Sequence, residues 1–263
     1  MTKNMVSIVT VCYNSSVTIR DTFESVLKQT YSNFEYVVID GDSTDTTVSI
    51  IKEYESKFNG KMRWITEPDD GLYDAMNKGI RMAKGDIIGI LNSDDYYASS
   101  AVLKNVCDII YGEKIDSCYG NILYEKKNKP YRFWRAGVQK SFKFGWMPPH
   151  PSFFLKKSMY EEHGYFGLDY GSAADYELML RLLERKKITT KWIDELFVIM
   201  RVGGVSNNSF LSRIKAYNND KKGWINNELS PFFFTLFLKK ILKISQYFVA
   251  KKLIGKISHA GVN

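Results

Sequence analysis

Acidic residues stand at three places in this chain where their spacing makes chemistry possible. Asp40-Gly41-Asp42 follows the apolar run Tyr36-Val37-Val38-Ile39, and Asn92-Ser93-Asp94-Asp95 follows Ile87-Ile88-Gly89-Ile90-Leu91. A buried strand that stops on carboxylates delivers them to the carboxyl edge of a parallel sheet, where open α/β folds bind ligands. Asp94 and Asp95 repel one another unless a cation or hydrogen-bond donors offset the cost. Mg²⁺ or Mn²⁺ takes hard oxygen ligands, one or two carboxylates plus phosphates and water, so this pair reads as a cation site or else as a solvated turn. Asp40 reads as an acceptor for a base or ribose, with Gly41 admitting the ligand to the backbone, or as a plain loop before a helix cap. Asp175 opens the expected helix Ala174–Lys186 and is either a general base at the cleft mouth or a helix cap.

The segment from Glu67 to Gly79 is unusually polar for a helix start. Asp74 and Asn77, three apart, share one helix face that can point into the cleft; acids in a first turn also simply complement the helix dipole. His150, between Pro149 and Pro151, is the one histidine placed near such a site, and it reads equally as a packing residue. There is no H-E-x-x-H, no G-x-x-x-x-G-K-S/T loop and no G-x-G-x-x-G after the first strand, which argues against zinc, P-loop and dinucleotide chemistry.

The elements that must position these residues alternate over the first 125 positions. Strands are expected at Val6–Cys12, Glu35–Ile39, Met62–Thr66, Asp86–Leu91 and Ser117–Tyr124. Helices are expected at Thr18–Lys28 (capped by Ser15 or Ser16), Thr46–Phe58 (capped by Ser43 or Thr44), Leu72–Ala83 and Ala98–Tyr111. This is an α/β pattern with a mostly parallel central sheet flanked by helices. Further strands are expected at Tyr131–Trp134, Ser152–Leu155, Ile188–Ile193 and Phe197–Val202, with an ordered loop over the site at Phe142–Pro151. Beyond Gly203-Gly204 the pattern is wholly helical, so a catalytic domain at 1–208 and a helical C-terminal extension at 209–263 are expected.

The 263 residues, 44% apolar and 25% charged, suit one soluble globule with a tail. The three cysteines lack metal-ligand spacing, and the start leaves no room for a signal peptide, so a reducing, cytoplasmic setting is expected. The net charge of +8 is uneven: residues 212–263 hold ten Lys or Arg against Asp220 and Glu228. Taken as a helix, Phe232–Val249 places Phe234, Phe237, Leu238, Ile241, Ile244 and Phe248 on one face and Lys239, Lys240 and Lys243 on the other. The expectation is an interfacial helix on an anionic membrane surface at the inner face of the cell membrane; packing on the catalytic domain or on a second copy, a homodimer, is the alternative.

Read in order, these pieces resemble family 2 glycosyltransferases of the GT-A fold, the kind that builds bacterial polysaccharides. The resemblance runs through Ile8–Asn14, Val38–Asp45, Asp70–Gly79, Gly85–Asp95 and Ala174-Asp175-Tyr176. It implies that Thr10, Tyr13 and Asn14 border the nucleotide, that Asp40 binds the base, and that Asp42, Asp74, Asn77, Asn92 and Asp94 belong to the nucleotide-sugar site. It implies a Mn²⁺ or Mg²⁺ ion at Asp94-Asp95, Asn92 standing at the first position of the family's Asp-x-Asp motif. Asp175 matches the catalytic base, after Ala174 where many members have Glu. The Gln-x-x-Arg-Trp motif of processive synthases is absent, which favours single-sugar transfer; His150, Arg201 and Ser206 are left as acceptor or donor loop residues. The implied partners are a nucleotide-diphosphate sugar and a glycan or polyprenyl-linked acceptor. Two rival readings are a haloacid-dehalogenase-type phosphatase using Asp40 and Asp42, and a non-catalytic basic module. The tail carries no nucleic-acid-binding motif, so nucleic acid is not an expected partner.

Overall fold

In the computed structural model, residues 2–202, 210–239, 241–242 and 246–247 are described. The chain runs β1 (Thr2–Cys12), α1 (Ile19–Leu27), β2 (Phe34–Asp40), α2 (Thr47–Glu55), β3 (Met62–Thr66), α3 (Leu72–Met82) and β4 (Gly85–Ile90). It continues with β5 (Tyr96–Tyr97), α4 (Val102–Gly112), β6 (Ser117–Lys126), β7 (Lys129–Trp134), β8 (Phe153–Lys156), α5 (Lys157–His163), α6 (Ala174–Met179), β9 (Thr190–Arg201) and α7 (Phe210–Asn226). The strands form one sheet in the order β3-β2-β1-β4-β8-β6-β9-β5, with β7 on β6.

Strand direction decides where the chemistry falls. β3, β2, β1 and β4 are mutually parallel. β8 is antiparallel to both β4 and β6, so β6 runs the same way as β4. The carboxyl ends of β1, β2, β4 and β6 therefore share one edge of the sheet. The strands form because both faces are covered: Val37 and Ile39 join one core cluster, Tyr36 and Val38 the other. Each such side chain contributes about 1.5–3 kcal/mol when fully buried. α3 lies so close to β1 that a Cβ on Gly79 would fall 2.3 Å from a Val9 methyl.

Several local expectations are corrected. Neither Ser15 nor Ser16 caps α1 by its side chain; the Ser15 carbonyl accepts the Thr18 and Ile19 N–H groups instead, each at 3.0 Å. At α2 the acceptor is Asp45, whose Oδ1 takes the Thr47 N–H at 2.9 Å, while Ser43 turns back to Asp40. The helix expected from Ala98 starts at Val102, because Tyr96-Tyr97 pairs with β9 as a short strand. The two strands expected at 188–193 and 197–202 are one, β9, irregular opposite Asn121. The helix through Lys186 ends its α segment at Met179 and goes on as a π-helical turn, Leu180–Arg185. The loop at 142–151 is no simple cover, since Phe142 and Trp146 are buried in the core.

The expected extension from residue 209 begins with a helix built into the catalytic core. Trp224 of α7 is fully buried and donates from Nε1 to the Tyr176 hydroxyl at 2.9 Å. Asn227 donates to Glu177 at 2.9 Å. Residues 235–239 are helical, and their inward side is not the phenylalanine stripe. Thr235 and Leu236 are buried, and Lys239 pairs with Asp220 at 2.9 Å with its ammonium 3.6 Å from the Tyr176 ring centre. The face opposite the phenylalanine stripe, which carries Lys239, is thus turned at least in part to the protein, and the Lys239 charge is satisfied within the fold. Phe234, Phe237 and Ile241 are exposed, together with Phe232, Phe233 and Phe144. The side chains of Lys240, Lys243, Ile244 and Phe248 lie outside the described residues. No helix among the described residues is long and apolar enough to cross a membrane.

Candidate active site

The end of β2 is held by its own acid. Asp40 is 0% exposed. Its Oδ1 accepts the Ser43 hydroxyl at 2.5 Å, and its Oδ2 accepts the Ser43 N–H at 2.9 Å and the Thr66 hydroxyl at 2.6 Å. With those oxygens engaged, Asp40 shapes the loop and presents no free face to a base. The same hydrogen bonds argue against Asp40 as the free nucleophile that the phosphatase reading needs. Gly41 does admit a close approach, but the group over it is protein: a Cβ there would meet the Asp69 Oδ2 at 2.5 Å. Asp42 is exposed with φ of 65°.

Thr10 is likewise internal, donating to the Leu91 carbonyl at 2.7 Å and accepting from Tyr36 at 2.8 Å. It ties β1 to the start of the Asn92 loop. Asn14 (φ 49°) accepts from the Thr44 and Asp45 N–H groups at 2.9 and 3.2 Å. Tyr13 is 61% exposed and is the residue of this trio with a free ring face for a base. Asp74 accepts from the Asp70 N–H at 3.2 Å and sits 3.5 Å from Lys78. Asn77 is 3% exposed and spends both ends of its amide on Phe166, donating to its carbonyl at 2.9 Å and accepting from its N–H at 3.0 Å. Asn77 is therefore a clamp on the chain at Phe166, not a nucleotide contact.

The turn after β4 carries the charge. Asp95 is 1% exposed, and burial, with the Asp94 charge second, pushes its carboxyl well above the usual range. Asp94 is half-buried and raised by burial. Asn92 donates to Asp95 Oδ2 at 3.4 Å, while Asn92 Oδ1 and Asp95 Oδ1 are buried without a hydrogen-bond partner. Ser93 shares a hydrogen bond with Ser15 at 2.8 Å, and Thr22 donates to the carbonyls of Ser93 and Asp95. Orphaned acceptor oxygens beside a half-exposed carboxylate fit a hard cation. Among the described residues no group of three or more His, Cys, Asp and Glu gathers to enclose one, so phosphate oxygens and water would complete its shell.

Asp175 stands in the first turn of α6. Its Oδ1 accepts the Tyr176 N–H at 2.8 Å, and the Tyr73 hydroxyl lies beside it. His150 is in its electrostatic reach; burial lowers the imidazole pKa and Asp175 opposes the shift. Phe166 joins these groups, 5.4 Å edge-on to His150 and 5.3 Å from Tyr73. Burial raises the Tyr124 hydroxyl pKa, the Arg132 charge opposes the shift, and the Asp95 and Asp175 carboxylates add smaller contributions to it. Arg201 is tied to Asp21 and, at 3.3 Å, to Glu125, with one buried nitrogen unpartnered. Ser206 lies outside the described residues. Sequence reasoning missed Asp69, Tyr73, Tyr124 and Phe166; only Asp69 and Tyr73, inside the polar segment before and within α3, carried a signal.

The family description "Glycosyl transferase family 2" matches residues 7–171. The chain is 31% identical over 183 residues to an uncharacterized glycosyltransferase of Mycobacterium tuberculosis, covering 67% of this chain and 68% of that one. It is 30% identical over 224 residues to the UDP-Glc:α-D-GlcNAc-diphosphoundecaprenol β-1,3-glucosyltransferase WfaP of Escherichia coli, covering 81% and 84%. Among solved structures it is similar to Staphylococcus aureus TarS 1-349 in complex with UDP-GlcNAc (TM-score 0.67, 20% identity, 90% of this chain and 70% of that one). Against a longer TarS chain the likeness spans 37% of that chain and 75% of this one, with a TM-score of 0.60. The mannosyltransferase PcManGT of Pyrobaculum calidifontis, in complex with GDP-Man and Mn²⁺, has a TM-score of 0.65 at 16% identity over 98% of this chain and 76% of its own. With the sheet order, the acidic turn after β4 and the match over residues 7–171 all in agreement, the chain belongs to glycosyl transferase family 2 and has the GT-A fold.

Proposed function

We propose that this enzyme moves one sugar from a nucleotide-diphosphate sugar, a UDP-sugar, to a hydroxyl of a lipid-linked glycan acceptor, with inversion at the anomeric carbon, in cell-surface polysaccharide synthesis. The observation that carries the reading is the Asn92–Asp95 turn at the carboxyl end of β4, with its orphaned buried oxygens. Tyr13 and Asp69 flank the nucleotide end, the ring stacking on the base and the carboxylate accepting from it. Asp94, half-buried, is a direct cation ligand, and the orphaned Oδ1 of the buried Asp95 is the second acidic oxygen at the turn. Mn²⁺ or Mg²⁺ bound there would offset the charge that develops on the leaving diphosphate. Asp175 takes the proton from the acceptor hydroxyl as that oxygen attacks, and Tyr73 and His150 hold its orientation. Support comes also from what the neighbours bind, UDP-GlcNAc in TarS and GDP-Man with Mn²⁺ in PcManGT, and from the lipid-linked substrate in WfaP's name.

The exposed aromatics at 232–234 and 237, beside a tail rich in lysine, suit an anionic membrane surface that presents such an acceptor. On this reading the enzyme works at the inner face of the cell membrane. A thermal-shift screen of nucleotide sugars with Mn²⁺ or Mg²⁺ tests the donor assignment. A ligand at 100 times its Kd stabilises the native state by about 2.7 kcal/mol. A UDP-sugar should stand out only with the metal present, and a flat response across all nucleotide sugars would reject the reading.

A further inference from the structure

Arg132 is placed unlike most other arginines of the fold. Its guanidinium carbon lies 3.6 Å from the ring centre of Tyr124, 5.8 Å from that of Tyr247 and 6.0 Å from that of Trp134. Its Nε is buried and has no hydrogen-bond partner. Arg20, Arg63, Arg135, Arg181, Arg185 and Arg201 each pair with a carboxylate, whereas among the described residues Arg132 has no such pair. A charge held against aromatic faces with an unused N–H is organised to receive an anion.

Its location gives that anion a role. Arg132 and Tyr124 are cross-strand partners on β7 and β6, at the carboxyl end of β6. That end lies on the same sheet edge as the Asn92–Asp95 turn, and Tyr124 feels the carboxylates of both Asp95 and Asp175. The cluster thus lies at the same edge of the sheet as the acidic turn, on the far side of β4 from Tyr13 and β2. Tyr247 closes its outer side from the tail, meeting Tyr131 edge-on at 5.3 Å. Trp134 also borders a small cavity shared with Lys239, Leu242 and Gln246 of the tail.

We propose that Arg132, Tyr124, Trp134 and Tyr247 form the acceptor subsite, and that it takes a sugar carried on a phosphate or diphosphate. The sugar's C–H face packs on an aromatic ring, and the Arg132 guanidinium donates to a phosphate oxygen. This rests on the transferase reading above and adds to it the chemical class of the acceptor and the residue that recognises it.

The test is equilibrium binding followed by tryptophan fluorescence and calorimetry, with Mn²⁺ and saturating UDP. Three probes are compared: decyl α-GlcNAc diphosphate, α-GlcNAc 1-phosphate, and decyl α-GlcNAc without phosphate. The parent should bind the decyl diphosphate at least about tenfold more tightly than the phosphate-free glycoside, as a charge-assisted hydrogen bond warrants. Arg132→Gln should erase that preference, a loss of about 10- to 100-fold, and leave the affinity for UDP and for the glycoside unchanged. Arg132→Lys keeps the charge without the planar donor and should recover only part of it; its UDP affinity serves as the check on folding if the glutamine variant is unstable. Equal binding of the free 1-phosphate and the decyl diphosphate would support the subsite and identify a soluble source of the phosphate. No preference for phosphate in the parent, or an unchanged preference in both Arg132 variants, overturns the proposal. A parent that discriminates by phosphate yet binds no UDP would instead sink the transferase reading and leave the subsite standing.

Discussion

Replacing Asn77 by alanine separates a structural role from a nucleotide-binding one. The amide bridges α3 to Phe166 across 89 positions of chain, with hydrogen bonds of 2.9 and 3.0 Å. Both partners on Phe166 are backbone groups of a residue only 3% exposed, so water cannot replace the lost bonds without opening the fold. Leaving a buried donor or acceptor unsatisfied costs about 1–3 kcal/mol each, so Asn77→Ala should lose about 2–6 kcal/mol. In a chain of this size each kcal/mol moves the melting point by about 2–4 °C, which predicts a fall of about 5–20 °C. Phe166 also packs against Tyr73 and His150, two side chains that interact with Asp175. Turnover should therefore drop at temperatures where the variant is still folded, while the Kd for UDP with Mn²⁺ stays within about twofold, a change of less than half a kcal/mol. The assays are differential scanning fluorimetry and isothermal titration with UDP. A variant that melts with the parent but binds UDP tenfold more weakly would refute the clamp and return Asn77 to the nucleotide pocket.

Three further outcomes are expected. Asp175→Asn should keep UDP binding and the contact to the Tyr176 N–H but lose turnover by roughly 10²- to 10⁴-fold, and equal activity would make Asp175 a helix-terminal residue only. His150 has a lowered pKa in the fold, so the unfolded chain binds its proton first as pH falls; stability should decline below about pH 6.5, and this decline should be weaker in His150→Gln. A parent and variant with superimposable melting-point profiles between neutral and acidic pH would exclude that role. Phe233 stands fully exposed, and burying a phenylalanine contributes about 1.5–3 kcal/mol, so Phe233→Ser should weaken co-sedimentation with anionic vesicles at least about tenfold. Unchanged sedimentation would mean that the aromatic stripe does not enter the bilayer.

Much of the catalytic half is legible from hydropathy because β2 and β4 are buried on both faces and read as uninterrupted apolar runs ending on acids. β5 is not legible: Tyr96-Tyr97 is two residues long, and only its pairing with β9 makes it a strand. Asp194 and Glu195 fall between the two expected strands, yet they ride in one bulged strand that pairs with β6, where Asp194 meets Arg135 and Glu195 accepts from Asn105. At the site, residue type was readable but direction was not. Thr10, Asp40 and Asn77 have the polarity of ligand contacts, and each turns inward to satisfy backbone or hydroxyl groups of its neighbours. Arg132 gave no signal, since a cation in a hairpin normally faces water. Only the convergence of Tyr124, Trp134 and Tyr247, from three parts of the chain, sets it apart. Lys239 shows the same limit in the tail, where helical periodicity gives the faces of a helix but not which face meets the protein.

The cation-linked nucleotide site at the Asn92–Asp95 turn is tested most directly by titrating UDP into the parent and into Asp94→Ala, with Mn²⁺ and then with EDTA. The loss of one hard anionic ligand should abolish the metal's contribution. The account predicts that Mn²⁺ tightens UDP binding by the parent and has little effect on the variant, with both equally weak in EDTA. A parent that binds UDP equally well in EDTA, or a variant that keeps the full Mn²⁺ effect, would contradict it.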